Sequence, residues 1–197
     1  SPRPSVMDQR ARAPARERAT VEFVTALTPL TVTAGKRPLR LGSLPGGVSV
    51  IGSDRLRDSG AGDTSAVARQ TAGFITTNLG AARNKILLRG LSDGTFTGRT
   101  QSTVGTYLDD VPVNYNAPDP DIRLVDVDRV EILRGPQGAL YGSGSLSGIY
   151  RIVTRSPELN VSSTSAGAAV ATTESGSPSY PLEGVINAPT GRASAAR

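Results

Sequence analysis

Short stretches of apolar residues broken by single polar or charged ones occupy the middle of the chain, and each reads as a β-strand. They are Val48–Ile51 (VSVI), Phe74–Thr76 (FIT), Lys85–Gly90 (KILLRG), Val104–Asp110 (VGTYLDD), Val127–Gly135 (VDRVEILRG) and Gly148–Arg155 (GIYRIVTR). The last sets Ile149, Arg151 and Val153 against Tyr150, Ile152 and Thr154. Between the first strands two short helices are predicted. Ser53 is a suitable N-cap for SDRLRDSG, with Gly60 as its C-cap, and Asp63 caps DTSAVARQ, which presents Ala66 and Val67 to a core. Short helices interleaved with five or six short strands predict an α+β fold, a small mixed β-sheet domain, over roughly residues 40–157.

The flanks differ. Residues 1–22 are rich in Arg, Pro and Ala and predict disorder. FVTALTPLTVTAG (Phe23–Gly35) is uncharged, favours extended backbone and carries Pro29, which blocks a helix. KRPLRLGSLPGG (Lys36–Gly47) reads as a linker. Beyond Pro157, Asn160–Thr173 and Tyr180–Pro189 flank the turn ESGSPS and predict a hairpin, an element that is marginal alone in water. The tail TGRASAAR does not read as a barrel strand.

Composition narrows the chemistry. The chain has no Cys, hence no disulfide, thiol nucleophile or iron–sulfur cluster, and no His, hence no Ser–His–Asp triad and no histidine metal site. The net charge of +5 resides in residues 1–40, with eight Lys/Arg against three Asp/Glu; residues 41–197 are balanced. A basic arm on a neutral domain is not a nucleic-acid face. No stretch is apolar for the roughly 18 residues of a transmembrane helix, which leaves membrane β-strands open.

The glycine cluster Arg134–Gly148 (RGPQGALYGSGSLSG) follows a strand and invites a phosphate-loop reading. That reading fails, because no Lys-Ser/Thr follows a GxxxxG and position 147 is Ser where a third Gly would be needed. The glycines instead predict positive φ and tight backbone contact, Gly138 included. Asp109–Asp110 read as turn caps, and Asp126, Asp128 and Glu131 lack a calcium loop's ligand count. Arg89 and Arg134 each end an apolar strand before Gly, a symmetric placement that points toward a partner surface. The polar loops Ser92–Gln101 and Asn114–Asp121 carry Phe96 and Tyr115 beside Arg and Asn, a composition suited to ligand contact.

KILLRGLSDG (Lys85–Gly94), TVGTYLDDVPV (Thr103–Val113) and DVDRVEILRGPQGALYGSGSLSGIYRIVTRSP (Asp126–Pro157) resemble, in order and spacing, the plug domain of TonB-dependent outer-membrane receptors. The last segment follows the family's VE-x-L-RGP-x-G-x-LYG-x-G run, departing at Leu146–Ser147–Gly148, where paired glycines are usual. The resemblance implies a plug inside a large β-barrel of the cell outer membrane, with a periplasmic N-terminus. Such a plug helps bind a scarce nutrient such as a ferric siderophore, and is displaced when TonB, of the inner-membrane energising complex, pulls on a "TonB box". The best match to that box is Leu30, Thr31, Val32, Thr33 and Ala34; an unpaired, uncharged, β-prone segment suits strand addition to a partner's sheet edge. The resemblance further implies ligand-facing positions at Phe96, Arg99, Asn114, Tyr115 and Asn116. It implies barrel-wall contacts at Arg89, Glu131 and Arg134, and a structural glycine set at Gly135, Gly138, Gly142, Gly144 and Gly148.

The resulting plan is a basic arm (1–29), TonB box and linker (30–47), plug (48–157) and an incomplete hairpin starting a truncated barrel (158–197). At least eight strands close a barrel, so a non-transporting fragment is expected. No catalysis, cofactor or metal is expected. The alternative is a free-standing periplasmic module that binds ligand or TonB.

Overall fold

The computed structural model describes residues 31–33, 39–40, 47–60, 62–77, 79–80, 83–92, 94, 100–114, 118–120, 122–170, 172, 176–191 and 194–197. The predicted disorder of residues 1–22 lies outside them. Five strands form a mixed sheet in the order β3-β8-β9-β6-β7: β3 (Gly47–Gly52), β8 (Val127–Arg134), β9 (Gly148–Thr154), β6 (Val104–Leu108) and β7 (Val111–Pro112). All neighbours are antiparallel except β6 and β9, which run parallel with Val104 opposite Gly148.

The two central strands are covered on both faces, which is why β8 and β9 are almost continuously buried. One face carries Ile51, Val104, Val130, Ile132, Tyr150 and Ile152. It is covered by α1 (Ser53–Asp58), α2 (Thr64–Gln70) and the two-stranded ribbon of β4 (Phe74–Thr76) and β5 (Ile86–Leu88). Phe74 meets Tyr150 there with ring centroids 5.2 Å apart. The other face carries Leu133 and Ile149, with Val48, Val50, Tyr107 and Tyr141 packed around them. The alternation of β9 thus divides two cores.

The helices follow their caps. Asp63 accepts from the Ala66 amide at 2.8 Å, as its position predicts, and Ala66 and Val67 are buried. Ser53 is the first helical residue of α1 and not its cap, which is Gly52; the Ser53 hydroxyl instead accepts from Arg155 at 3.0 Å. Asp109 takes φ +53, and its carboxylate accepts from the Thr154 amide and hydroxyl, so the Asp109–Asp110 turn is a structural cap.

Two findings depart from the sequence expectations. Inside the predicted linker, β2 (Leu39–Arg40) pairs antiparallel with β1 (Thr31–Val32). In the tail, three residues, β12 (Ser194–Ala196), pair with β11 (Leu182–Gly191) across a shift in register. Small Ala and Ser residues carry too little hydrophobicity to announce a strand, and pairing with β11 forms it. The glycine loop also contains a one-turn helix, α3 (Gly138–Tyr141).

The predicted hairpin is β10 (Ser163–Ala168) paired with β11. Leu182 and Ile186, 80% and 63% exposed, share one face with Ala168 and Thr164, and Glu183 and Asn187 take the other. Asn187 is buried because its amide bonds Glu158 N, Glu158 O and Val161 O at 2.9, 3.0 and 2.6 Å, fixing the hairpin to the end of the main domain. Arg197 adds a bidentate pair to Asp126 at 2.6 Å per bond.

Ile132 is fully buried in the larger core. Ile132→Ala is expected to lower unfolding free energy by about 2–5 kcal/mol. Leu146→Ala, at a side chain 69% exposed, is expected to stay within about 0.5 kcal/mol. Denaturant midpoints of both variants check the assignment of inside and outside.

Candidate functional site

The glycine loop joins β8 to β9 and turns its amides inward. Gly135 N donates to Ser147 O, Gln137 N to Ser145 O and Gly142 N to Gly138 O, each at 2.9–3.0 Å. Amides so used form no phosphate cradle. Gly148 has φ +146, and a Cβ there would stand 2.1 Å from Leu133 O, so the antiparallel β8–β9 pair closes only over a residue without a side chain. Gly135, Gly142 and Gly144 also take positive φ, whereas Gly138 does not. Gly138 opens α3 with nothing near its missing Cβ, so the expectation of strained backbone at that position is corrected.

Arg89 and Arg134 meet at the start of β3. Arg89 takes φ +54, which turns the chain out of β5, and its Nη2 lies 3.0 Å from where a Cβ on Gly47 would be. Arg134 Cβ and Cδ flank the same point at 3.6 Å, so Gly47 leaves room for both side chains. Arg134 Nη2 donates to Ser49 Oγ at 2.8 Å and Ala72 O at 2.9 Å. Among the described residues no carboxylate pairs with Arg134. Glu131 does not join these two arginines. Three residues along a strand reverse the face, and Glu131 points into the opposite core.

There Glu131 is fully buried among cations. Arg129 Nε donates to its Oε1 at 2.7 Å and Arg151 Nη1 to its Oε2 at 3.4 Å. Arg129 also pairs with Asp128 at 2.6 Å, and Arg151 with Asp110 at 3.1 Å and Asp109 O at 2.5 Å. Burial opposes the charge on Arg129, but its bonds to Glu131 and Asp128 outweigh that cost and raise its pKa. Nearby, burial pushes the Tyr141 phenol up to about 12.

Part of the predicted TonB box lies over this cluster. Val32 is fully buried beside Leu133 and Ile149. The Thr33 amide donates to Glu131 Oε1 at 3.1 Å, and its hydroxyl accepts from Arg129 Nη2 at 3.0 Å and from Arg151 Nη1. The segment is therefore paired and docked, where the sequence predicts it unpaired. Leu30 and Ala34 lie outside the described residues.

Of the ligand-facing set, Phe96, Arg99, Tyr115 and Asn116 lie outside the described residues. Asn114 is turned inward: its Oδ1 accepts from Thr106 N at 2.7 Å, and its Nδ2 donates to Val104 O at 3.1 Å and to Asp119 Oδ1. It acts as a short extra strand against β6. Asp119, which the sequence reading passed over, is the hub of this corner. It is buried, accepts from Ile86 N at 2.9 Å and Thr106 Oγ1 at 3.2 Å, and so joins β5 to β6. Pro118 and Pro120 on either side stiffen the backbone that presents it, the one signal that could have singled it out. Among the described residues no group of three or more acidic side chains could hold a metal ion, and no helix is long and apolar enough to cross a membrane.

The family described as TonB-dependent Receptor Plug Domain matches residues 40–149. The pesticin receptor of Yersinia pestis is 36% identical over 132 residues, covering 66% of this chain and 19% of the relative. The ferrioxamine B receptor of Salmonella typhimurium is 30% identical over 118 residues, covering 57% and 16%. The chain thus spans less than a fifth of the length of these relatives. Among solved structures, the ferric yersiniabactin uptake receptor of Yersinia pestis superposes with a TM-score of 0.59 at 27% identity, covering 73% of this chain and 22% of that one. The ferripyoverdine receptor of the Pseudomonas aeruginosa outer membrane shares the fold with a TM-score of 0.59 at 22% identity, over 81% and 23%.

Gly148→Ala is expected to destabilise the chain by at least about 2 kcal/mol, through the Leu133 carbonyl and positive φ. Gly138→Ala is expected to be neutral or stabilising by up to about 1 kcal/mol. Thermal unfolding of the two variants side by side separates the glycines that the fold requires from the one that it does not.

Proposed function

This chain belongs to the TonB-dependent receptor plug domain family, and we propose that it is the plug of an energised outer-membrane receptor taking up a ferric siderophore. The observation that carries this reading is continuity: the family match runs from β2 into β9, and the chain then passes directly into a hairpin with an apolar face and a polar face. That alternation is what a membrane barrel strand needs, apolar toward lipid and polar toward the lumen. The names of the relatives, all receptors, support uptake over catalysis.

In this reading residues 1–29 form an arm, 30–47 the TonB-pairing segment and linker, 48–157 the plug and 158–197 the first part of the barrel wall. Leu30, Thr31, Val32, Thr33 and Ala34 are uncharged and β-prone, the chemistry that adds a strand to a partner's sheet edge. Phe96, Arg99, Tyr115 and Asn116 face the ligand, whereas Asn114, bonded inward to β6, takes a structural part. Arg89 and Arg134, side by side over Gly47, meet acidic groups of the wall. Glu131, buried beneath β1, reaches a wall only after β1 leaves.

A peptide spanning residues 24–40, titrated with the C-terminal domain of TonB, tests the pairing segment. Binding is expected, and Val32→Pro in the peptide is expected to weaken it at least about tenfold, because Pro removes a ladder donor and fixes φ. Equal affinity for the two peptides would rule out Leu30–Ala34 as the pairing segment.

A further inference from the structure

We propose that the hydroxyls of Ser147 and Thr103 share a buried water molecule, which bridges the starts of β9 and β6 beneath the glycine loop.

Buried hydroxyls in folded proteins are hydrogen-bonded, and each exception calls for a physical cause. Among the described residues, Thr71 Oγ1, Thr103 Oγ1 and Ser147 Oγ are buried without a protein partner. Two of these belong to adjoining residues, because Ser147 N donates to Thr103 O at 2.8 Å. Ser147 O accepts from Gly135 N at 2.9 Å, so its backbone is bonded on both sides and its place is fixed. Ser147 is only 2% exposed. Its hydroxyl cannot turn out to bulk solvent, and a hydroxyl left unsatisfied there is destabilising.

The neighbouring hydroxyls behave differently. Ser102 Oγ donates to Val104 O at 2.8 Å, and Ser145 Oγ donates to Gly142 O at 2.7 Å. Both are satisfied by backbone close by in the chain. Thr103 and Ser147 make no such bond, which leaves two adjacent strands each presenting one hydroxyl to a common partner.

The loop closes over this point. Gly144 takes φ +91, and a Cβ on it would stand 3.4 Å from Ser102 O. Gly144 O in turn lies 3.6 Å from where a Cβ on Gly105 would be. Loop backbone therefore lies against the start of β6 and shuts the seam off from bulk solvent. A molecule held there has to be small and uncharged, and has to donate and accept at once, because a hydroxyl does both. Water meets these terms, and a buried water typically makes about three hydrogen bonds. Position 147 is also where the chain departs from the paired glycines of the family run. A glycine there would carry no hydroxyl, so the site belongs to this sequence and not to the glycine pattern.

Thermal unfolding of four chains tests the bridge: the unaltered chain, Ser147→Ala, Thr103→Val and the two changes together. With water bound, either single change removes one anchor and strands the other hydroxyl, and each is expected to lower Tm by about 2–4 °C. The double variant is expected to lose no more than the worse single one, because the first change already dissolves the site. A Tm that holds or rises in either single variant overturns the proposal, since a hydroxyl without any partner would then have been removed. A double variant whose loss is the sum of the two single losses overturns it as well.

A second measurement needs no variant. A crystal structure of the whole chain is expected to show one ordered water within hydrogen-bonding distance of both Ser147 Oγ and Thr103 Oγ1. A site without that water, or hydroxyls turned to protein groups, overturns the proposal even where the variants fail to fold. Neither measurement involves TonB or a siderophore, so the outcome is independent of the uptake reading.

Discussion

Strands β8 and β9 have a hydrophobic core on each side, and most of the domain is arranged to meet that demand. A strand pair buried on both faces needs covering elements above and below, which α1, α2 and the β4–β5 ribbon supply on one side. The other side is covered more thinly, by Tyr107, Tyr141 and Val32. Backbone must also approach backbone closely where β8 turns into β9, and Gly148 makes that possible. Charges within such a pair have to be matched, because an isolated buried ion is costly. Glu131 and Arg151 sit opposite each other across the ladder and match one another, with Arg129 completing the set.

The asymmetry of the two faces separates frame from moving part. On the thick face the cover is locked by long-range hydrogen bonds, such as those of Asp119 to β5 and β6. On the thin face the cover includes a two-residue strand held by one apolar side chain and one threonine. This combination suits the proposed function, in which the plug holds its place while its N-terminal segment pairs with TonB. The hairpin is tied to the frame by Asn187 and by the Arg197–Asp126 pair, at the end of the sheet where β9 finishes.

Much of this was legible in the sequence. The strands announced themselves as short apolar runs, and in β9 the alternation set Ile149 apart from Tyr150 and Ile152, which lie in different cores. Asp63 was readable as a cap because its chemistry is local. What escaped was non-local or weakly apolar. The β1–β2 pairing joins residues from opposite ends of a stretch that looks like linker. The short strand Ser194–Ala196 has no hydrophobic pattern and depends on its neighbour. Asn114 and Asp119 looked like loop polarity, and only folding shows them bonded inward to strand edges. Arg89, Glu131 and Arg134 resembled one charged set until strand geometry placed Glu131 on the far face.

The central claim is that the β8–β9 pair is the rigid frame and β1 a separable cover upon it. Native-state hydrogen exchange across a denaturant series reads this directly. The Ile132, Leu133, Tyr150 and Ile152 amides should exchange only through global unfolding, and the Val32 and Thr33 amides through a smaller opening that leaves the sheet intact. Exchange of β1 and the central strands together, at one free energy and with one denaturant dependence, would contradict the account.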